Sequence, residues 1–178
     1  MAALTIYSGE VWAELRLADA RDVPHTHNLI HQMAEFELLT DLFAATHELL
    51  ASTLFCTPET PFTSFTALIL DLSTSSVPAS SDTVSSRSLG LSASPLAKLE
   101  VAFPLTRGGG RVTVGFVICF PNYSTILARP ELYVEDIFVR APLRRRGLRR
   151  TISFTVVGRA AWSGVCSIGT RTPWTSTR

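Results

Sequence analysis

Residues 132–147, Leu-Tyr-Val-Glu-Asp-Ile-Phe-Val-Arg-Ala-Pro-Leu-Arg-Arg-Arg-Gly, allow few folds, because a strand pattern runs straight into a cation-rich turn and a helix start. Residues 133–139 alternate, and their Val, Ile and Phe suit a pleated, half-buried surface. Pro142 ends the strand, since it has no N–H to give to a ladder. Gly147 frees the backbone to approach a ligand. Leu148, Ile152 and Val156 then fall on one face of a helix reaching about residue 162, weakened by β-branched Thr151, Thr155 and Val157. The first amides of a helix lack internal partners and carry the positive end of its dipole, so this turn suits a pyrophosphate.

Upstream, residues 12–17 alternate as a first strand. Asp22 is placed to cap a helix over residues 23–39, with Pro24 tolerated in its first turn and Leu29, Ile30, Met33, Phe36 and Leu39 at helical spacing. Thr46 caps a second, short helix over 47–55. Residues 65–72 and 112–120 are apolar strands, the latter following Gly108-Gly-Gly110. Between them, residues 73–95 hold ten serines and two prolines and almost no large apolar side chain, the composition of a disordered insertion. The Ser- and Gly-rich stretch as a whole spans 73–111.

A chain of 178 residues that is 46% hydrophobic and 17% charged has the size and composition of one globular domain. No apolar run reaches the roughly 18 residues needed to cross a bilayer, and residues 1–10 lack the order of a secretory signal. The expectation is a cytosolic protein without membrane contact. Cys56, Cys119 and Cys166 are too scattered for a disulfide framework or a metal site, and Cys119 reads as core. His27 and His31 share a helical face, but neither they nor His25 have a third ligand nearby, so no metal is expected. The net charge of +1 hides an asymmetry: residues 137–178 hold nine arginines and no acid. A nucleic-acid footprint is the rival explanation. Five of the nine, Arg144, Arg145, Arg146, Arg149 and Arg150, flank the phosphate-type turn, which is the preferred one.

The turn, with its Arg-x-x-Gly, resembles the GNAT acyl-CoA-dependent N-acyltransferases, whose signature after the fourth strand is Arg/Gln-x-x-Gly-x-Gly/Ala. The likeness extends to Leu15-Arg-Leu-Ala, Asp22-Val-Pro, Leu29-Ile-His-Gln-Met-Ala-Glu-Phe-Glu37, Leu50-Ala-Ser-Thr-Leu-Phe55 and Gly115-Phe-Val-Ile-Cys-Phe-Pro-Asn-Tyr-Ser124. Within that superfamily it is most similar to plant diamine acetyltransferases and tyramine hydroxycinnamoyltransferases. The resemblance implies an α/β fold with a mixed central sheet flanked by helices. It also implies acetyl-CoA as co-substrate, a small-molecule amine as acceptor, and a homodimer in the intact family.

It further implies that the backbone of Ile137, Phe138 and Val139 pairs with the pantetheine arm. The turn from Arg144 through Arg145, Arg146, Gly147, Leu148 and Arg149 to Arg150 would hold the pyrophosphate. Arg149 departs from the pattern, which wants Gly or Ala there. Acyl transfer to an amine needs both partners held together and a proton removed from the ammonium. By resemblance, Glu135 faces the amine and is the candidate base, while Phe36 and Glu37 contact the acceptor. Strand alternation places Glu135 and Asp136 on opposite faces.

Family members continue with a fifth strand, a motif like Val-Leu-Asp-Trp-Asn and a helix bearing the tyrosine that serves as general acid. Tyr7, Tyr123 and Tyr133 are the tyrosines here, and none stands in that place. Residues 163–178 follow neither helical nor strand period. Back-translated with permitted codons and read one base earlier, residues 162–177 are consistent with Val-Glu-Arg-Gly-Val-Leu-Asp-Trp-Asn-Ala-Asp-Ala-Met-Asp-Phe-Tyr. The expectation is therefore an incomplete GNAT domain over residues 1–162 and an out-of-frame tail. The function expected is acetyl transfer to a diamine or polyamine, impaired in this chain. The alternatives are hydroxycinnamoyl transfer to tyramine and a catalytically inactive dimer partner or non-functional product.

Overall fold

The structure is a computed structural model that describes residues 11–55, 61–73, 81–89, 111–126 and 128–145, together with Leu148, Ile152 and Val156. Its elements are β1 (Val11–Leu17), α1 (Val23–Glu37), α2 (His47–Leu54), β2 (Thr66–Ser73), β3 (Thr83–Leu89), β4 (Arg111–Ser124) and β5 (Arg129–Val139). The strands form one sheet in the order β3-β1-β2-β4-β5. Every neighbouring pair is antiparallel. This is the expected α/β architecture of a sheet with helices against it.

β2 is buried along its whole length, which is why Thr66–Ser73 reads as a near-continuous apolar run and not as an alternation. Leu29 of α1 packs with Ile69, Phe116 and Phe138 on one face. On the other face Leu148, Ile152 and Val156 join Val117, Cys119, Leu132 and Val139. These three residues are helical and buried, as their spacing predicted.

Three expectations are corrected. Residues 83–89, within the stretch read as disordered, form β3, which pairs with the outer edge of β1. Asp22 does not cap α1 with its side chain. Its carboxylate is instead turned to Arg16 at 2.7 and 2.8 Å, and Asp19 caps the short turn that precedes the helix. α1 stops at Glu37 because Leu38 adopts a left-handed conformation, with φ 60°, that closes the helix end. α2 keeps its predicted cap, with Thr46 Oγ1 accepting from Leu49 N–H at 3.2 Å.

Gly115 lies where β4 meets the top of β5, and a Cβ built there would stand 2.5 Å from the Phe138 carbonyl oxygen. Backbone cannot yield as a side-chain tip can. Gly115→Ala is therefore expected to destabilise the protein by about 1–3 kcal/mol, read as a lower urea midpoint with an unchanged slope. A midpoint equal to that of the parent would show that the two strands separate freely there.

Candidate active site

The site forms where the end of α1 meets β5. The β4–β5 register slips between Ile118 and Cys119: Ile118 faces Asp136, whereas Cys119 faces Val134. Glu135 is thus the extra residue of a β-bulge. Val134 and Ile137 consequently pack into the same cluster although they are three apart, which strict alternation would forbid. Asp136 lies in register with Ile118, on the face that carries Phe116, Phe138 and α1. Glu135 is exposed at the bulge.

Burial pushes the Asp136 carboxyl up to about 6, and the negative charges of Glu135 and Glu37 add to the effect. Glu37, on the last turn of α1, is thereby within electrostatic reach of β5. The fold thus sets the negative charges of Glu37 and Glu135 where Asp136 feels both. Sequence reasoning named Glu37 and Glu135 but passed over Asp136, because a bulge leaves no signature in the residue pattern.

Phe36 stands beside Glu37, and its ring faces the Arg144 guanidinium at 3.9 Å from the centroid. Arg144 also lies 5.1 Å from the Phe138 centroid and donates from Nε to the Val139 carbonyl at 2.9 Å. Its side chain therefore ties β5 to the end of α1 instead of projecting along the turn. Arg145 takes a left-handed conformation with φ 63°, a strain of roughly 1–2 kcal/mol for a residue with a Cβ. Leu148 is buried in the core. Arg146, Gly147, Arg149 and Arg150 lie outside the described residues, as does the segment 163–178.

Ile137, Phe138 and Val139 pair with Val117, Phe116 and Gly115 on one side. On the other side β5 is the last strand of the sheet, with no strand beside it among the described residues. Phe65, Phe120 and Tyr133 form an aromatic row on the face of Asp136, with ring centroids 5.1 and 5.3 Å apart. Phe65 is 59% and Tyr133 41% exposed. Sequence reasoning did not pick this row out.

His27 sets Nε2 at 3.1 Å from the Ala45 carbonyl and its ring against Phe43 and His47. His31 Nδ1 is 3.7 Å from Glu35. Among the described residues no three His, Cys, Asp or Glu side chains stand together as a metal cluster. Cys119 is core, as read, and burial pushes its thiol up to about 12. No described helix is long and apolar enough to cross a membrane.

No protein-family model matches the chain. The L-ornithine N5-acetyltransferase NATA1 of Arabidopsis thaliana is 38% identical over 161 residues, covering 87% of this chain and 70% of that protein. The tyramine N-feruloyltransferase 4/11 of Nicotiana tabacum is 24% identical over 168 residues, 89% of this chain and 74% of the relative. Among solved structures, an aminoglycoside acetyltransferase from an uncultured soil metagenomic sample, in complex with sisomicin, superposes with a TM-score of 0.53 at 11% identity, over 88% of this chain and 75% of that one. AAC(6')-Iy in complex with the bisubstrate analog CoA-S-monomethyl-acetylneamine gives 0.53 at 12% identity, over 92% and 82%. Those two likenesses show the fold. Together with the similarity to the Arabidopsis enzyme, they establish that the chain belongs to the GNAT superfamily of N-acyltransferases.

Proposed function

We propose that the chain is an acetyl-CoA-dependent N-acetyltransferase of the cytosol, acting as a homodimer on a primary amine of a diamine or polyamine. The observation that carries this reading is the gathering of Glu37, Glu135 and Asp136 at the β5 bulge, with the Asp136 carboxyl near 6. Such a cluster draws in an alkylammonium. A base whose pKa lies near the working pH is also suited to take the proton that the amine must lose before it attacks.

Acetyl-CoA supplies the activated acyl group when bound. The residues present fit it: the outer edge of β5 along Ile137, Phe138 and Val139 suits an extended arm, and the turn at Arg144 and Arg145, with helical Leu148 beyond it, suits a pyrophosphate. Arg144, held on Phe36, fixes the distance between that turn and the amine side. Glu135, exposed beside the bulge, attracts and orients the ammonium, and Asp136 accepts its proton.

The test separates binding from turnover. Calorimetry with acetyl-CoA, followed by mass spectrometry of an amine mixture, is expected to show binding and an N-acetylated diamine or polyamine. Acetyl-CoA binding without any acetylated product would instead support the catalytically inactive alternative. The similarity to the tobacco enzyme favours hydroxycinnamoyl transfer to tyramine as the second reading, and its signature would be turnover with feruloyl-CoA and tyramine but none with acetyl-CoA.

A further inference from the structure

We infer that Arg144 is a latch across the donor edge of β5: the pantetheine arm must displace it, and its release clears the acceptor-side face of Phe36. This rests on the reading of that edge as the acetyl-CoA site and adds how donor and acceptor are coupled there. In an antiparallel ladder the backbone groups of successive residues point alternately toward the neighbouring strand and away from it. Arg140 N–H donates to the Val114 carbonyl at 2.9 Å, so Arg140 faces β4. Phe138, two residues earlier and in register with Phe116, faces β4 as well. Its carbonyl oxygen stands 2.5 Å from a Cβ built on Gly115. Ile137 and Val139 therefore turn their N–H and C=O groups to the outer edge, where an extended arm would pair with them.

Arg144 already holds one of those groups. Its Nε donates to the Val139 carbonyl at 2.9 Å. From there the side chain crosses the edge, because its guanidinium carbon lies 3.9 Å from the Phe36 centroid and 5.1 Å from that of Phe138. A carbonyl has room for a second donor, but the crossing side chain fills the path that the arm would follow. The contacts are of a strength that a ligand overcomes: one hydrogen bond from a charged group and one cation–aromatic contact at a ring that is 65% exposed. While latched, the guanidinium also covers the ring next to Glu37 and sets a positive charge where the amine would approach. The donor therefore binds first, and the amine binds better once it has.

Calorimetric titration of the full chain compares coenzyme A with adenosine 5′-diphosphate, which carries the pyrophosphate without the arm. Arg144→Met is expected to raise the preference for coenzyme A by about three- to tenfold, as the arm no longer has a side chain to displace. Phe36→Leu, a change at an exposed ring that leaves β5 and Arg144 intact, is expected to raise it by about two- to fivefold. Butane-1,4-diamine should bind the parent about two- to fivefold more tightly with coenzyme A present than without it, a difference that Arg144→Met should abolish. Equal weakening of both nucleotides in Arg144→Met would assign Arg144 to the pyrophosphate and overturn the latch, as would an unchanged preference in that variant. A rise there with none in Phe36→Leu, or an amine affinity indifferent to coenzyme A, would overturn the link to the acceptor side. If neither nucleotide binds the parent, the donor edge itself fails, and the proposed function with it.

Discussion

Arg16→Met is expected to remove about 3–5 kcal/mol of stability, a large share of the roughly 5–15 kcal/mol typical of a folded domain. Arg16 is 1% exposed, one residue before the end of β1. Its guanidinium reaches Asp22 at 2.7 and 2.8 Å and donates from Nε to Asp71 at 2.8 Å. Asp71 also accepts from Thr113 Oγ1 at 2.7 Å, which extends the network from β1 through β2 to β4. Burial by itself favours loss of the Arg16 proton, but hydrogen bonding and charge from Asp22 and Asp71 outweigh it and hold the pKa above its ordinary value.

Removing the arginine leaves two buried carboxylates, one of them 0% exposed, without the cation they share. The destabilisation comes chiefly from that uncompensated charge and less from a lost attraction. Combining Arg16→Met with Asp22→Asn and Asp71→Asn should therefore recover part of what the single change loses. Urea denaturation followed by circular dichroism reads both. A single variant within about 1 kcal/mol of the parent, the range of an exposed pair, would show that the network contributes no more than a surface ion pair.

The same network shows where a sequence stops being informative. Asp22 before Val23-Pro24 carries every local sign of a helix cap, and only partners brought together by the sheet reassign it. Asp71 lies 55 residues from Arg16, a separation that no periodicity reports. The central strands were legible because burial on both faces demands apolar runs, as in β2. β3 was not: its serines give no apolar alternation, and it exists because the edge of β1 offers a ladder, Leu89 a buried anchor and Glu14 a partner for the Thr83 hydroxyl at 2.6 Å.

The site divides in the same way. Glu135, Phe36 and Glu37 were named through a resemblance that local residue order preserves, and in the fold the charge of Glu37 is felt at Asp136 on β5. Arg144 was assigned by its motif to the phosphate turn, yet its side chain turns back onto Phe36, because an aromatic face and a free carbonyl lie within reach there. The prominence of Asp136 depends on one extra residue in a ladder. Register of that kind is settled by packing on both faces and not by the strand alone.

Asp136→Asn is expected to lower kcat/KM for amine acetylation by about 10²–10⁴-fold, the range that one positioned proton acceptor supplies. Glu135→Gln should cost less and act mainly on KM, since an exposed carboxylate attracts the ammonium without taking its proton. A larger fall in kcat for Glu135→Gln than for Asp136→Asn would move the base to Glu135. The pH profile supplies an independent check. Asp136 must be ionised to accept a proton, so the rate should climb through pH about 6 and level above it. The acidic limb should vanish in Asp136→Asn.

Stability should run in the opposite direction. The folded protein holds the Asp136 proton more tightly than the unfolded chain, for which the ordinary value is 3.8. The native state therefore binds more protons across that window, and the group's contribution to stability is fully present below it and is lost as pH rises past about 6. Asp136→Asn should consequently melt at a higher temperature than the parent at pH 8, with the advantage shrinking toward pH 4. Loss of activity together with a gain in Tm at pH 8 is the combination expected of a carboxylate buried for its chemistry. A loss of both would mark Asp136 as a structural residue of the bulge.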